Sequence, residues 1–63
     1  MKDRYGVVNE DVRNKYEKEW QVSYGYDFIS FDYSIAKKVC KDKGEGHIVE
    51  RISGSEREIV YRG

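Results

Sequence analysis

The sequence predicts a single α+β domain spanning residues 1–63, built as a small antiparallel sheet of three to four strands with one helix, about residues 33–43, packed on one face. Two patterns support this fold: an amphipathic segment with helix-capping residues, and a C-terminal hairpin over residues 47–62 with a Ser-Gly-Ser turn. A length of 63 residues allows one domain and no more.

The first half of the chain begins with a short predicted strand over residues 5–8 and continues into a segment with two interpretations. Polar and apolar residues alternate over residues 16–24, which favours a loop over residues 9–14 followed by a long strand. An apolar residue also recurs at every fourth position from Val8 to Trp20, which indicates a helix over about residues 10–19, capped by Asn9. We favour the strand interpretation.

The second half begins with a short extended segment, residues 26–31, that leads to the helix. Asp32 is a suitable N-cap, because its carboxylate can accept hydrogen bonds from free backbone amides. Lysines follow toward the end of the helix, and Gly44 or Gly46 provides the left-handed stop.

In the hairpin, strand-like runs over residues 47–52 and 57–62 flank the turn. We predict that Ile48, Ile52 and either Ile59 or Val60 face the helix, and that the charged residues of the hairpin are solvated. The predicted core consists of Phe28, Phe31, Ile35, Val39, Ile48 and Ile52.

Composition argues against several classes of protein. The formal net charge is 0 and 14% of the residues are aromatic, which argues against disorder, and the absence of a basic excess argues weakly against nonspecific nucleic-acid binding. No apolar run approaches the length of a membrane span, and the N-terminus leads into no signal-peptide core. One cysteine and no export signal indicate a cytoplasmic protein without disulfides.

No catalytic, metal or cofactor site is predicted. His47 has no identifiable partner, and Cys40 lies on the apolar face near the C-terminus of the helix, where the dipole opposes a thiolate. The glycines of the Lys43–His47 segment follow the helix rather than precede it, so they do not form a phosphate-binding loop.

The aromatic side chains are too numerous for one small core, so some of them are expected to form a binding surface. The candidates are Tyr16, Trp20, Tyr24, Tyr26, Tyr61, Arg51, Arg57 and Arg62. We expect a noncatalytic protein-interaction module, a regulator or inhibitor of a larger protein, of the kind often found among phage-encoded and accessory bacterial proteins. Its partner is another protein or a second copy, as a homodimer. The alternative is a domain that binds single-stranded nucleic acid through tyrosines and arginines.

Overall fold

A computed structural model describes residues 2–17 and 25–63 of the chain. It has a four-stranded antiparallel sheet in the order β2-β1-β3-β4 together with two helices, which confirms the predicted α+β class and the C-terminal hairpin. The elements are β1 Arg4–Asn9, α1 Glu10–Lys15, β2 Phe28–Ser30, α2 Tyr33–Lys43, β3 His47–Ser53 and β4 Glu56–Arg62.

Helix α2 has the predicted bounds and caps. The Asp32 carboxylate accepts hydrogen bonds from the backbone amides of Ser34 at 2.9 Å and Ile35 at 3.4 Å. The helix ends at Gly44, whose φ of 93° lies in the region that favours glycine. In the described part of the chain, neither helix is long and apolar enough to cross a membrane.

Helix α1 occupies the segment for which we favoured a loop. The prediction of a loop over residues 9–14 is therefore wrong. The Asn9 side chain accepts hydrogen bonds from the amides of Asp11 at 3.0 Å and Val12 at 3.4 Å, as the helical alternative requires. Acidic residues in the first turn and basic residues in the last turn suit the helix dipole. Tyr16 terminates this helix instead of beginning a strand, and residues 18–24 of the predicted strand lie outside the described residues.

The core between the sheet and α2 consists of Val7, Ala36, Cys40 and Val49, all fully buried. Val49 lies directly opposite Val7 in the sheet, so Ile48 and Ile52 point to the other face, because side chains alternate along a strand. The prediction that these two isoleucines face the helix is therefore wrong.

The second face of the sheet is also buried, which explains that error. Val8, Ile48 and Ile52 are no more than 4% exposed, although they point away from α2. A strand that is buried on both faces carries apolar residues at successive positions, so alternation does not identify its helix side.

The rest of the predicted core is confirmed only in part. Phe28 and Val39 are partly buried and pack against the helix-side core. Phe31 and Ile35 are 62% and 49% exposed, so their assignment to the core is wrong. Both lie at the corner where β2 leads into α2, outside the layer between helix and sheet.

Both edges of the sheet have features that discourage pairing with another strand. Edge strand β2 has three residues. Edge strand β4 is longer, but its register with β3 shifts between Val49 and Glu50, which leaves Val60 as a bulge between Ile59 and Tyr61. Short strands and bulges are common at protected sheet edges.

Candidate protein-binding groove

Two hollows meet at Tyr33 on the helix side of the sheet: one lies on the surface of α2, and the other lies between the start of α2 and strands β1, β3 and β4. Helix α2 packs mainly against β1, β2 and β3. Two adjoining hollows of about 320 and 230 Å³ share Tyr33. We call them together the α2–β4 groove, which is lined by Tyr5, Tyr33, Ser34, Lys37, Lys38, Lys41, Arg51 and Val60.

Tyr33 connects the two walls of the groove. It is in the first turn of α2, and its hydroxyl donates a hydrogen bond to the backbone carbonyl of Val60 at 3.3 Å. Its ring centroid lies 5.2 Å from that of Tyr5, with the planes tilted by 45°. Such tilted ring pairs are favourable, so Tyr33 is held in place between helix and sheet.

Lys37 lies one helical turn after Tyr33 and points along the same face of α2. Its Nζ is 5.5 Å from the ring centroid of Tyr33 and 5.5 Å from that of Tyr61. Ammonium groups at this distance are attracted to the faces of aromatic rings. The lysine is therefore positioned over the groove, although it is exposed.

The three lysines of the groove form no ion pair with a carboxylate in the described part of the chain. Among residues 2–17 and 25–63, no carboxylate oxygen lies within 4.0 Å of the Nζ of Lys37, Lys38 or Lys41. Three lysines on successive turns of α2 therefore give this part of the surface a basic character, although the net charge of the whole chain is 0.

The arginines differ from these lysines, because several of them form ion pairs. Arg51 pairs with Glu58, and Arg62 pairs with Glu10. Arg57 donates to the backbone carbonyls of Gly54 and Glu56. Carboxylates therefore already pair with two of the three arginines that the sequence suggested for binding, and the third contacts backbone carbonyls.

The predicted binding residues do not form one surface. Arg51 lines the α2–β4 groove, and Tyr61 contacts Lys37 beside it. Arg57 and Arg62 lie opposite Ile52 and Ile48 in the sheet, which places them on the other face.

The remaining candidate binding residues lie away from the groove or outside the residues that the structure describes. Tyr16 ends α1, and its ring lies 5.5 Å from the Nζ of Lys15. Tyr26 is half-buried against the second face of the sheet. Trp20 and Tyr24 lie outside the described residues.

Sequence reasoning missed Tyr5, Tyr33 and the three lysines as groove residues. The available signal was the spacing of Tyr33, Lys37 and Lys41, which are four residues apart and share one stripe of the helix. From the sequence alone that stripe is typical of a solvated helix face, and the structure adds that Tyr33 also lines the hollow beside Val60.

The second face of the sheet contains a buried charged cluster. The Glu50 side chain is 0% exposed, and its carboxylate accepts hydrogen bonds from Arg13 Nε at 3.2 Å and from the Tyr26 hydroxyl at 3.0 Å. These contacts connect α1 and the segment before β2 to the centre of β3. The expectation that the charged residues of the hairpin are solvated is wrong for Glu50.

Cys40 and His47 do not lie in the groove. Burial raises the pKa of the Cys40 thiol from its ordinary value of 9.0, although a backbone hydrogen bond with Gly63 acts in the opposite direction. The His47 Nε2 lies 3.7 Å from the Asp27 carboxylate, and its Nδ1 is buried with no hydrogen-bond partner in the described part of the chain. No group of three metal-ligating side chains occurs among residues 2–17 and 25–63.

No protein-family model matches the chain, and neither a curated protein nor a solved structure is similar enough to it to count as a match.

Proposed function

We propose that this protein is a noncatalytic interaction module that binds a larger protein through the α2–β4 groove and thereby regulates or inhibits it. The observation that carries the proposal is the combination of tyrosine rings and three lysines without carboxylate partners in the described part of the chain. Tyrosine rings supply rigid apolar contact area, and exposed cations supply orientation. A cytoplasmic location belongs to the proposal, because Cys40 is a free thiol.

A noncatalytic role is supported by the state of the most reactive side chain. With its pKa raised by burial, the Cys40 thiol is protonated at neutral pH, and the thiolate is the nucleophilic form. The side chain belongs to the helix-side core, where it packs as a small apolar group.

A protein partner is supported over single-stranded nucleic acid by the pairing of the arginines. Arg51 and Arg62 are engaged by Glu58 and Glu10, so a phosphate would have to displace a carboxylate to reach them. Glu58 also lies beside Arg51 at the end of the groove and would repel a continuous polyanion.

Co-purification from a lysate of the organism that encodes the chain tests the proposal. The groove variant carries Lys37→Gln, Lys38→Gln and Lys41→Gln. The control variant carries Lys2→Gln, Lys15→Gln and Lys43→Gln, which change the net charge equally at exposed positions outside the groove lining. We expect the same protein to be recovered with the wild type and the control but not with the groove variant. Repeated recovery of no protein, or equal recovery with all three chains, would contradict the proposal.

A further inference from the structure

We infer that the occupant of the α2–β4 groove is an acidic segment of the partner protein, with carboxylates that pair with Lys37, Lys38 and Lys41. This inference rests on the proposed function and adds the chemistry of the partner. It follows from charge complementarity, because among residues 2–17 and 25–63 no carboxylate oxygen lies within 4.0 Å of these three ammonium groups.

The spacing of the lysines suggests the pattern of the segment. Lys37 and Lys41 are one helical turn apart, which is a rise of about 6 Å along α2. In an extended peptide, side chains two residues apart are separated by about 7 Å and point the same way. Acidic residues at alternate positions of an extended segment would therefore meet Lys37 and Lys41 in succession.

The tyrosines give this charged contact an apolar component. Exposed ion pairs are individually weak, so three of them do not make a specific complex alone. Tyr33 and Tyr61 lie beneath Lys37, and Tyr5 extends the aromatic surface toward Arg51. A segment that crosses the lysines can also cover these rings, which adds apolar contact area to the ion pairs.

A peptide fits the charges at the two ends of the groove better than a nucleic-acid strand does. The α2 end is basic, whereas the Arg51 end also carries Glu58, which is 61% exposed. A nucleic acid has a phosphate at every step, but a peptide can place carboxylates at the lysines and a neutral or basic residue beside Glu58.

We infer that the acidic segment contacts the side chains of the groove and does not pair with β4 as an additional strand. The bulge at Val60 interrupts the regular ladder near the middle of that edge strand. The carbonyl of Val60 is also occupied by the Tyr33 hydroxyl.

The inference is tested by fluorescence anisotropy at low ionic strength, with the wild-type chain and the groove and control variants defined above. The probes are a fluorescein-labelled peptide of six Glu-Ser repeats, a peptide of six Lys-Ser repeats and a twelve-nucleotide oligothymidylate. We expect the wild type and the control to bind the Glu-Ser peptide, the groove variant to bind it about tenfold more weakly, and added salt to weaken all binding.

Three outcomes would overturn the inference: no binding of the Glu-Ser peptide, equal affinity of the groove and control variants, or tighter binding of oligothymidylate than of the peptide. The last outcome would favour nucleic acid as the occupant. If the peptide assay fails but the groove variant still loses its partner in co-purification, the acidic occupant is excluded and the proposed function remains. If both experiments fail, the acidic occupant and the proposed function are both excluded.

Discussion

At the scale of single residues, the packing of the second face of the sheet depends on the buried Glu50 carboxylate and on the close approach of the Tyr26 ring to the backbone of β1. A Cβ on Gly6 would lie 2.4 Å from Cδ1 of the Tyr26 ring, so the glycine allows the ring to lie flat on β1. From there the Tyr26 hydroxyl reaches the Glu50 carboxylate. A buried carboxylate needs such donors, because burial removes its solvation by water.

We predict that Tyr26→Phe destabilises the fold by about 1.5–3 kcal/mol, because it removes a hydrogen bond to a buried charged group. The free energy of unfolding is measured by urea titration with far-UV circular dichroism. The matched control is Tyr61→Phe, because the Tyr61 hydroxyl has no hydrogen-bond partner among residues 2–17 and 25–63. Its effect should stay within about 0.5 kcal/mol. Equal effects of the two substitutions would show that the bond to Glu50 contributes no stability.

Cys40 gives a pH-dependent prediction. Burial raises the pKa of its thiol in the folded chain above the ordinary 9.0, so the unfolded chain loses this proton at a lower pH than the folded chain does. The stabilising contribution is therefore complete below about pH 9 and decreases at higher pH. We expect the stability difference between wild type and Cys40→Ala to become smaller from pH 7 to pH 10, as measured by urea unfolding. The other titrating groups are common to both chains, so a constant difference would contradict the prediction.

At the scale of secondary-structure elements, the sequence predicts those whose ends are defined by local chemistry. Helix α2 is such a case, because Asp32 and Gly44 terminate it by side-chain and backbone effects that need no tertiary contact. The hairpin is another, since a turn with Gly54 at a φ of 62° separates two strand-forming runs.

Elements whose assignment depends on distant contacts were not predictable in the same way. Both interpretations of the segment after β1 fitted its apolar pattern, and local capping by Asn9 decided for a helix over Glu10–Lys15. The orientation of β3 depends on α1 and Tyr26 covering the second face, which no local pattern indicates. Of the groove and its immediate surroundings, sequence reasoning named only Arg51 and Tyr61, because the hollow beside Tyr33 forms only where residues of α2, β1, β3 and β4 come together.

We predict that Asp32→Ala destabilises the fold by about 1 kcal/mol, because the amides of Ser34 and Ile35 lose their acceptor. Asp42→Ala is the matched control on the same helix, and it should leave stability unchanged or raise it slightly. Asp42 lies in the last turn of α2, where a carboxylate opposes the helix dipole. Both variants are compared by thermal unfolding. A larger loss for Asp42→Ala than for Asp32→Ala would contradict the capping role.

At the scale of the whole molecule, the charges of the groove lysines are expected to affect binding much more than the free energy of unfolding. The hydrophobic core of a domain of this size rarely supplies more than about 3–5 kcal/mol of stability. Lys37 and Lys41 are like charges one helical turn apart, a placement that slightly destabilises a helix. Lys41 in the last turn also suits the helix dipole, but each of these surface effects is below about 1 kcal/mol, so the groove variant should remain folded when its partner is lost. Binding defects of that variant can accordingly be attributed to the surface.

The edges of the sheet and the charge of α2 also bear on whether the partner is a second copy of the chain. We predict a monomer of 7.5 kDa in sedimentation equilibrium at micromolar concentration, because β2 is short, β4 is bulged, and the lysines of two α2 helices would repel each other. The exposed side chains of Phe31 and Ile35 are the strongest argument for a dimer, so Phe31→Ser is the control variant. We expect it to sediment like the wild type. A wild-type dimer that Phe31→Ser converts to a monomer would instead place a self-association interface at the corner between β2 and α2.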